Sequence, residues 1–281
     1  MVFVVGSVLT NVLLLLWLRL LRGPLPALIT LNYFVCVGLS ALLDMPQLAQ
    51  LQAIGPLSLS VFILLGGLFI SVFILTGKGA KELGVGLTGM LTKLSVVLPI
   101  GFSALFLGER ISLSQGLGLL AGVGAIVAIY APYLRGSGLR ALFRAARLGL
   151  LLWLGNGLID ILFKAFEPKW SSLSPLQVPF FIMSVAGLLG TGLHLAQGQA
   201  MLLLQRQVWL GALLLGSTNI LSIYFYLRGL ASLPAVKFFL WNNLGIVLLS
   251  GVVGVAYFKE KISWEVGLGY GLGVTAILLT A

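Results

Sequence analysis

One charged side chain stands in the middle of a long apolar stretch, and the rest of the chain has to account for it. Lys93 lies about ten residues into the run 83–107, roughly 15 Å from either end if that run is helical. An ammonium at that depth in a bilayer costs about 2.5–3.5 kcal/mol, and its stem is too short to snorkel to an interface. Lys93 must therefore meet an opposite charge, a wet cavity or a ligand. Pro99, six residues on, cannot donate to the carbonyl of Ser95, which predicts a kink or open turn just past Lys93. Backbone carbonyls freed beside a cavity are a recurrent binding device in membrane proteins.

Three further groups are polar at comparable depth. Asn156, Asp160 and Lys164 fall at i, i+4 and i+8, one stripe of a helix. Asp160 and Lys164 have the acid-first spacing of an intrahelical pair, which is the plain structural reading and accounts for Lys164. It leaves Asp160 free to meet Lys93 or to carry a proton, which would suit proton-coupled exchange. Asn242 and Asn243, preceded by Trp241, form the second group. They read either as ligand contacts with an aromatic wall or as interhelical hydrogen bonds worth about 0.6–2 kcal/mol. Asn32 is a lesser candidate, with Tyr33, Asn219, Tyr224 and Tyr226. Membrane tyrosines usually mark interfaces, which is the expectation for both residues 224 and 226. His194, the one histidine, makes no metal site and is expected near an interface.

The elements that hold these residues must be membrane helices. Of 281 residues, 59% are hydrophobic and 9% charged, against about 25% charged in soluble domains. Ten spans fit, at 2–18, 27–43, 57–76, 83–107, 113–131, 148–166, 176–197, 208–227, 234–257 and 265–281, each near the ~20 residues that cross the hydrocarbon core. Gly23-Pro24, Pro46, Gly55-Pro56, Gly77, Pro132, Pro168, Pro175 and Pro234 punctuate them. The run from Val2 lacks a preceding basic residue and a small-residue cleavage site, so it reads as a span. The lone Cys36 excludes an intrachain disulfide.

A repeat organises the spans. Positions 108–126 and 259–277 agree at ten of nineteen places, among them Glu109/Glu260, Gly116/Gly267, Gly118/Gly269 and Gly122/Gly273. The fold class expected is all-α integral membrane, ten transmembrane helices in two inverted five-helix repeats: 1–132, a basic inter-repeat loop 133–147, and 148–281. An odd number of spans per repeat makes the second copy enter from the opposite side. Inverted copies that exchange conformations give alternating access, the construction of secondary transporters. The offset places Leu91, Thr92 and Lys93 opposite Asn242, Asn243 and Leu244, so polar groups of both halves are expected to converge. Glu109 and Glu260 sit in tight turns beside Arg110 and Lys261 and read as helix-start caps rather than catalytic acids. Gly118, Gly122, Gly269 and Gly273 read as close-packing faces.

Loop charge predicts orientation. The loops after odd-numbered spans carry eleven Lys and Arg residues (19, 22, 78, 81, 135, 140, 144, 147, 206, 259 and 261). The opposite side carries five: Arg110, Lys164, Lys169, Arg228 and Lys237. That bias puts the odd loops in the cytoplasm and both termini outside. Arg140, Arg144 and Arg147, at helical spacing without acids, are expected on a short amphipathic helix against anionic headgroups. The net charge of +10 is thus read as topology and lipid contact, not nucleic-acid binding.

Met90-Leu91-Thr92-Lys93-Leu94-Ser95, Pro99 and Leu107-Gly108-Glu109-Arg110 before a Gly-rich helix resemble the EamA-type branch of the drug/metabolite transporter superfamily. Arg228-Gly229-Leu230-Ala231-Ser232-Leu233-Pro234-Ala235 resembles its second repeat, and Asn32-Tyr33, Gly157, Asp160 and Lys164 are similar to one bacterial branch. The resemblance spans the whole chain. It implies ten helices in the bacterial inner membrane and a secondary transporter of a small metabolite, with proton coupling or exchange. Relatives are associated with amino acids, sugars, nucleotide-sugars and drugs, so the resemblance fixes no substrate. Family members are commonly drawn with both termini in the cytoplasm, the reverse of the charge bias here. No Walker loop, metal cluster or nucleophile-base set is present, so the expectation is no enzyme, no cofactor and a working monomer. The rival readings are a lipid or lipid-linked sugar flippase of the same fold, and a membrane interaction protein without transport.

Overall fold

The computed structural model describes residues 1–47, 50, 54–108, 110–136, 139–259 and 263–280. Side chains of residues 129–146 and of Leu87, Met90, Leu91, Leu94, Ile126, Ile277 and Thr280 lie outside the description. All regular structure among the described residues is helical. The long helices are α1 (Val2–Leu20), α2 (Leu25–Asp44) and α3 (Pro56–Glu82), then α4 (Val85–Lys93) and α5 (Val97–Phe106), which are joined by a 3₁₀ turn at Leu94–Val96. They are followed by α6 (Leu113–Gly136), α7 (Leu139–Phe166), α8 (Gln177–Ala196), α9 (Arg206–Ser232), α10 (Ala235–Ala256) and α11 (Trp264–Thr280). Among the described residues, seven are long and apolar enough to cross a membrane by length and composition: α1, α2, α3, α7 from Arg147 on together with the 3₁₀ turn Glu167–Trp170 that follows it, α8, α9 and α10. Apolar side chains such as Val5, Leu9, Leu120, Leu150, Leu188 and Leu278 point outward. That suits a chain whose solvent at that depth is lipid.

Local sequence explains most boundaries. Gly23 takes φ +124 and Pro24 caps α2, while Pro56 and Pro234 open α3 and α10; proline at a helix start forfeits only a donor that has no partner there. Gly84, at φ +93, turns the chain from α3 into α4. Gly108 and Lys259, repeat equivalents at the offset of 151, both adopt left-handed backbone, at φ +69 and +56.

Two expectations change. The predicted span 83–107 is two helices joined by a tighter 3₁₀ turn at Leu94–Val96, just before Pro99, whose missing donor removes a regular α-helical bond to Ser95. The basic segment 133–147 is largely helical rather than a loop: α6 runs past Pro132 to Gly136, and α7 starts at Leu139 as a continuation of its span. The headgroup contact expected of Arg140 and Arg144 concerns side chains outside the description. So do the capping roles of Glu109 and Glu260 and the neighbouring Lys261.

Packing is built on close approach at glycine. α6 lies against α11, α4 against α10, and α2 against α8. α1 packs on α9 and α10, α9 on α2, α3 on α8 and α7, and α7 also on α4 and α5. A Cβ at Gly66 of α3 would meet Val185 Cγ1 at 2.6 Å and the Ile182 carbonyl at 3.0 Å. At Gly216 of α9 it would meet Val35 Cβ at 2.6 Å and the Asn32 carbonyl at 2.8 Å. A Cβ at Gly122 would lie 3.8 Å from Ala276, and one at Gly273 would lie 3.9 Å from Ala125. In that last pair one number rises as the other falls, so α6 and α11 cross antiparallel.

Candidate functional site: a cavity lined by six helices

A cavity of about 140 Å³ lies at mid-height of the bundle. Four helices wall it with one stripe each: Asn11, Leu14, Leu15 and Leu18 from α1; Phe69, Val72, Phe73 and Thr76 from α3; Asn156, Ile159, Asp160 and Phe163 from α7; Asn219, Ser222, Ile223 and Tyr226 from α9. Each stripe follows i, i+3, i+4, i+7, the face a helix turns one way. The α3 and α9 stripes differ by 150 at all four positions, and the α1 and α7 stripes by 145. Thr92 and Lys93 enter from the end of α4, and Ile246 from α10.

The charged groups are placed by helix ends and stripes. Lys93 is the last residue of α4 and half-buried, and the 3₁₀ turn behind it redirects the chain at the cavity wall. Thr92 and Ser95 fold their hydroxyls back onto the carbonyls of Gly89 and Thr92, at 2.9 and 3.0 Å. Asp160 is 5% exposed. Its Oδ1 accepts a 2.6 Å hydrogen bond from the Tyr226 hydroxyl, and its Oδ2 has no partner among the described residues. Lys93 and Asp160 attract each other across the site. A charge-assisted acceptor left open in a low-dielectric site is a strong point of attachment for a donor.

Amides and hydroxyls tie this wall together. Asn11 Nδ2 donates to Ser222 Oγ at 2.9 Å, and Trp17 Nε1 to Thr218 Oγ1 at 3.2 Å, both joining α1 to α9. Asn219 Nδ2 donates to Asn32 Oδ1 at 3.1 Å, joining α9 to α2. Asn156, which lines the cavity, returns its Nδ2 to the Leu152 carbonyl at 2.8 Å. Phe69, Phe163 and Tyr226 form a chain of ring contacts, with centroids 6.0 and 5.6 Å apart, within the range of favourable aromatic pairs.

Of the residues expected from sequence, the structure gathers Lys93, Asn156 and Asp160 at one cavity and separates the others. Asn32 supports the wall through Asn219 without lining it. Asn242 and Asn243 are buried on α10 away from the lining, with Asn242 Nδ2 3.4 Å from Asn243 Oδ1. Trp241 stacks under Lys237, whose Nζ is 4.9 Å from the ring, and does not line the cavity. The hydrogen bond at Asp160 comes from Tyr226 rather than from Lys164. Tyr226 was expected at an interface, but α9 runs six residues beyond it and buries it. His194 lies in the last turn of α8, as expected, and is buried, at 4% exposure. Asn11 and Thr76 were missed. The helical stripe through Leu14, Leu15 and Leu18 would have found the first, and the offset from Tyr226 the second.

No family model matches the chain. An uncharacterized protein of Haemophilus influenzae is 27% identical over 263 residues, covering 89% of this chain and 86% of that protein. A protein of known crystal structure superimposes with a TM-score of 0.70 over 99% of this chain and 96% of its own, at 16% identity. The fold is thus shared with a solved protein along nearly its whole length. Neither likeness carries a stated activity.

Proposed function

We propose that the protein is a secondary transporter of a small polar metabolite, built as two inverted five-span repeats of the EamA type and working by alternating access around the Lys93–Asp160 cavity. The observation that carries the reading is the cavity itself: mid-height, shared by both halves, and holding opposite charges that a bilayer would otherwise expel. Its size suits a ligand of benzene-like volume. A fully packed midplane would have favoured a non-transporting interaction protein.

Packing supports the repeat. Exchanging the halves turns the α1–α9 contact into α7–α3, and α9–α2 into α3–α8, while α6–α11, α4–α10 and α2–α8 map onto themselves. The Gly66 and Gly216 contacts exchange at an offset of 150, and the Gly122–Ala276 and Ala125–Gly273 contacts at 151. Equivalent helices that cross antiparallel are related by an axis perpendicular to them, which for membrane helices lies in the membrane plane. Loop charges favour both termini outside. Within this reading the chain needs no cofactor and catalyses no reaction, and one copy suffices, since both halves of the site are on it.

The test is a thermal-shift screen of purified protein against amino acids, sugars, nucleotides, polyamines and phosphorylated metabolites, beside Lys93→Ala. A ligand that binds only the folded state raises the melting temperature by mass action. A concentration-dependent rise that disappears in Lys93→Ala is expected. Silence across the panel sinks the small-metabolite reading and favours a lipid substrate.

A further inference from the structure

We infer that Asn242 and Asn243 are ligand-contacting residues of the opposite-facing state, closed away now and brought to the cavity when α10 takes on the interrupted backbone that joins α4 to α5 here. The inference rests on the alternating-access reading. The offset of 151 pairs Asn243 with Thr92, yet Thr92 lines the cavity and Asn243 is 1% exposed behind it. Backbone differs at the same place. α4 ends at Lys93 and breaks through Leu94–Val96, whereas the equivalent Gly245, Ile246 and Val247 continue an unbroken α10. One stretch of the repeat is therefore present in two conformations within one molecule, which is what exchange between inverted halves requires.

Polar accounting points the same way. Asn242 Oδ1, Asn243 Nδ2 and Trp241 Nε1 are buried with no hydrogen-bond partner among the described residues. Packed interiors rarely leave such atoms unpaired, so the closed α10 is not the arrangement these amides are best suited to. The movement required is small. Ile246 already lines the cavity, and Asn242 and Asn243 stand four and three residues before it, one turn along the same face. Gly245 lies where a Cβ would meet Val8 Cγ2 at 2.8 Å, so α10 hugs α1 at the point that would open. Amides both donate and accept, so they would hold the hydrogen-bonding, uncharged part of a polar ligand, complementing Lys93 and Asp160.

Single cysteines at Asn243, Asn242, Asn156 and Leu244, placed in a Cys36→Ser background and reconstituted in oriented vesicles, test this with a membrane-impermeant methanethiosulfonate applied to each face. Leu244 is 1% exposed and packs toward Gly122, so it gives the rate of a buried thiol on the same helix. Asn243→Cys or Asn242→Cys is expected to react at least ten-fold faster than Leu244→Cys, from the face opposite to that which labels a fifth variant in the same background, Thr92→Cys. If Asn156→Cys reacts from both faces while both asparagine positions stay at the Leu244→Cys rate, the inference fails and alternating access stands. If Asn156→Cys reacts from one face only and the asparagine positions stay at that rate, both fail. Two asparagine variants guard against one that does not fold, judged by its elution as a single species.

Discussion

The Tyr226 hydroxyl donates to Asp160 Oδ1 at 2.6 Å, joining α9 to α7 across the cavity wall. That bond occupies Oδ1 and leaves the buried Oδ2 without a hydrogen-bond partner among the described residues. It makes Tyr226 a positioning residue for Asp160.

Removing that hydroxyl should cost stability as well as ligand response. Tyr226→Phe keeps the ring contacts with Phe163 and Phe238 but strips a buried carboxylate of its bonded donor, a loss of about 1–3 kcal/mol. Thermal unfolding in detergent should fall accordingly, and Asp160→Asn combined with Tyr226→Phe should fall by less than the sum of the two. Additive losses would show that the two residues do not act together.

Gly66 and Gly216 should respond alike. A Cβ at either would sit 2.6 Å from a valine carbon and within 3.0 Å of a carbonyl oxygen, so Gly66→Ala and Gly216→Ala should each destabilise by about 1–3 kcal/mol. Gly101→Ala, where a Cβ meets nothing within 4 Å, should be tolerated. A harmless Gly216→Ala beside a damaging Gly66→Ala would argue against equivalent packing of the halves.

Lys259 holds φ +56, a conformation that costs a non-glycine residue about 1–2 kcal/mol. Its repeat equivalent is Gly108. Lys259→Gly should therefore raise the melting temperature, and Gly108→Lys should lower it. The reverse order would mean the lysine side chain contributes more than its backbone costs.

The α6–α11 crossing can be read chemically. Gly122→Cys with Ala276→Cys, and Ala125→Cys with Gly273→Cys, place Cβ atoms 3.8 and 3.9 Å apart, inside the range a disulfide spans. Both pairs should cross-link under mild oxidation, seen as a mobility shift after cleavage between the halves. Failure of both would contradict an antiparallel crossing at this register.

The sequence exposed the parts of this design that physics forces on single residues. A lysine at mid-span, a proline six residues later and an aspartate on a polar stripe are costly in lipid, and each lies where the chain opens or the cavity forms. Seven of the ten expected spans were equally legible, because apolar length alone specifies them; those at 83–107, 113–131 and 265–281 are helical but are not among the described helices long and apolar enough to cross a membrane. What stayed hidden depends on which way a helix is rotated. Asn11, Ser222 and Tyr226 look like ordinary polar residues until the packing of α1 against α9 turns them inward. Asn243 matches Thr92 in sequence register, yet Thr92 lines the cavity and Asn243 does not, because α10 and α4 adopt different backbones. Residues 133–147 were only partly legible: helical spacing of the arginines pointed to a short helix within a loop, whereas α6 continues through Pro132 to Gly136 and α7 runs on from Leu139 into its span.

The measurement that bears most directly on the account is uptake into proteoliposomes of the compound giving the largest thermal shift, comparing wild type, Lys93→Ala, Asp160→Asn and protein-free vesicles. The account predicts saturable uptake well above protein-free vesicles, reduced at least ten-fold in Lys93→Ala and impaired in Asp160→Asn. Uptake no greater than in protein-free vesicles, or uptake undiminished in both variants, would contradict transport through this cavity.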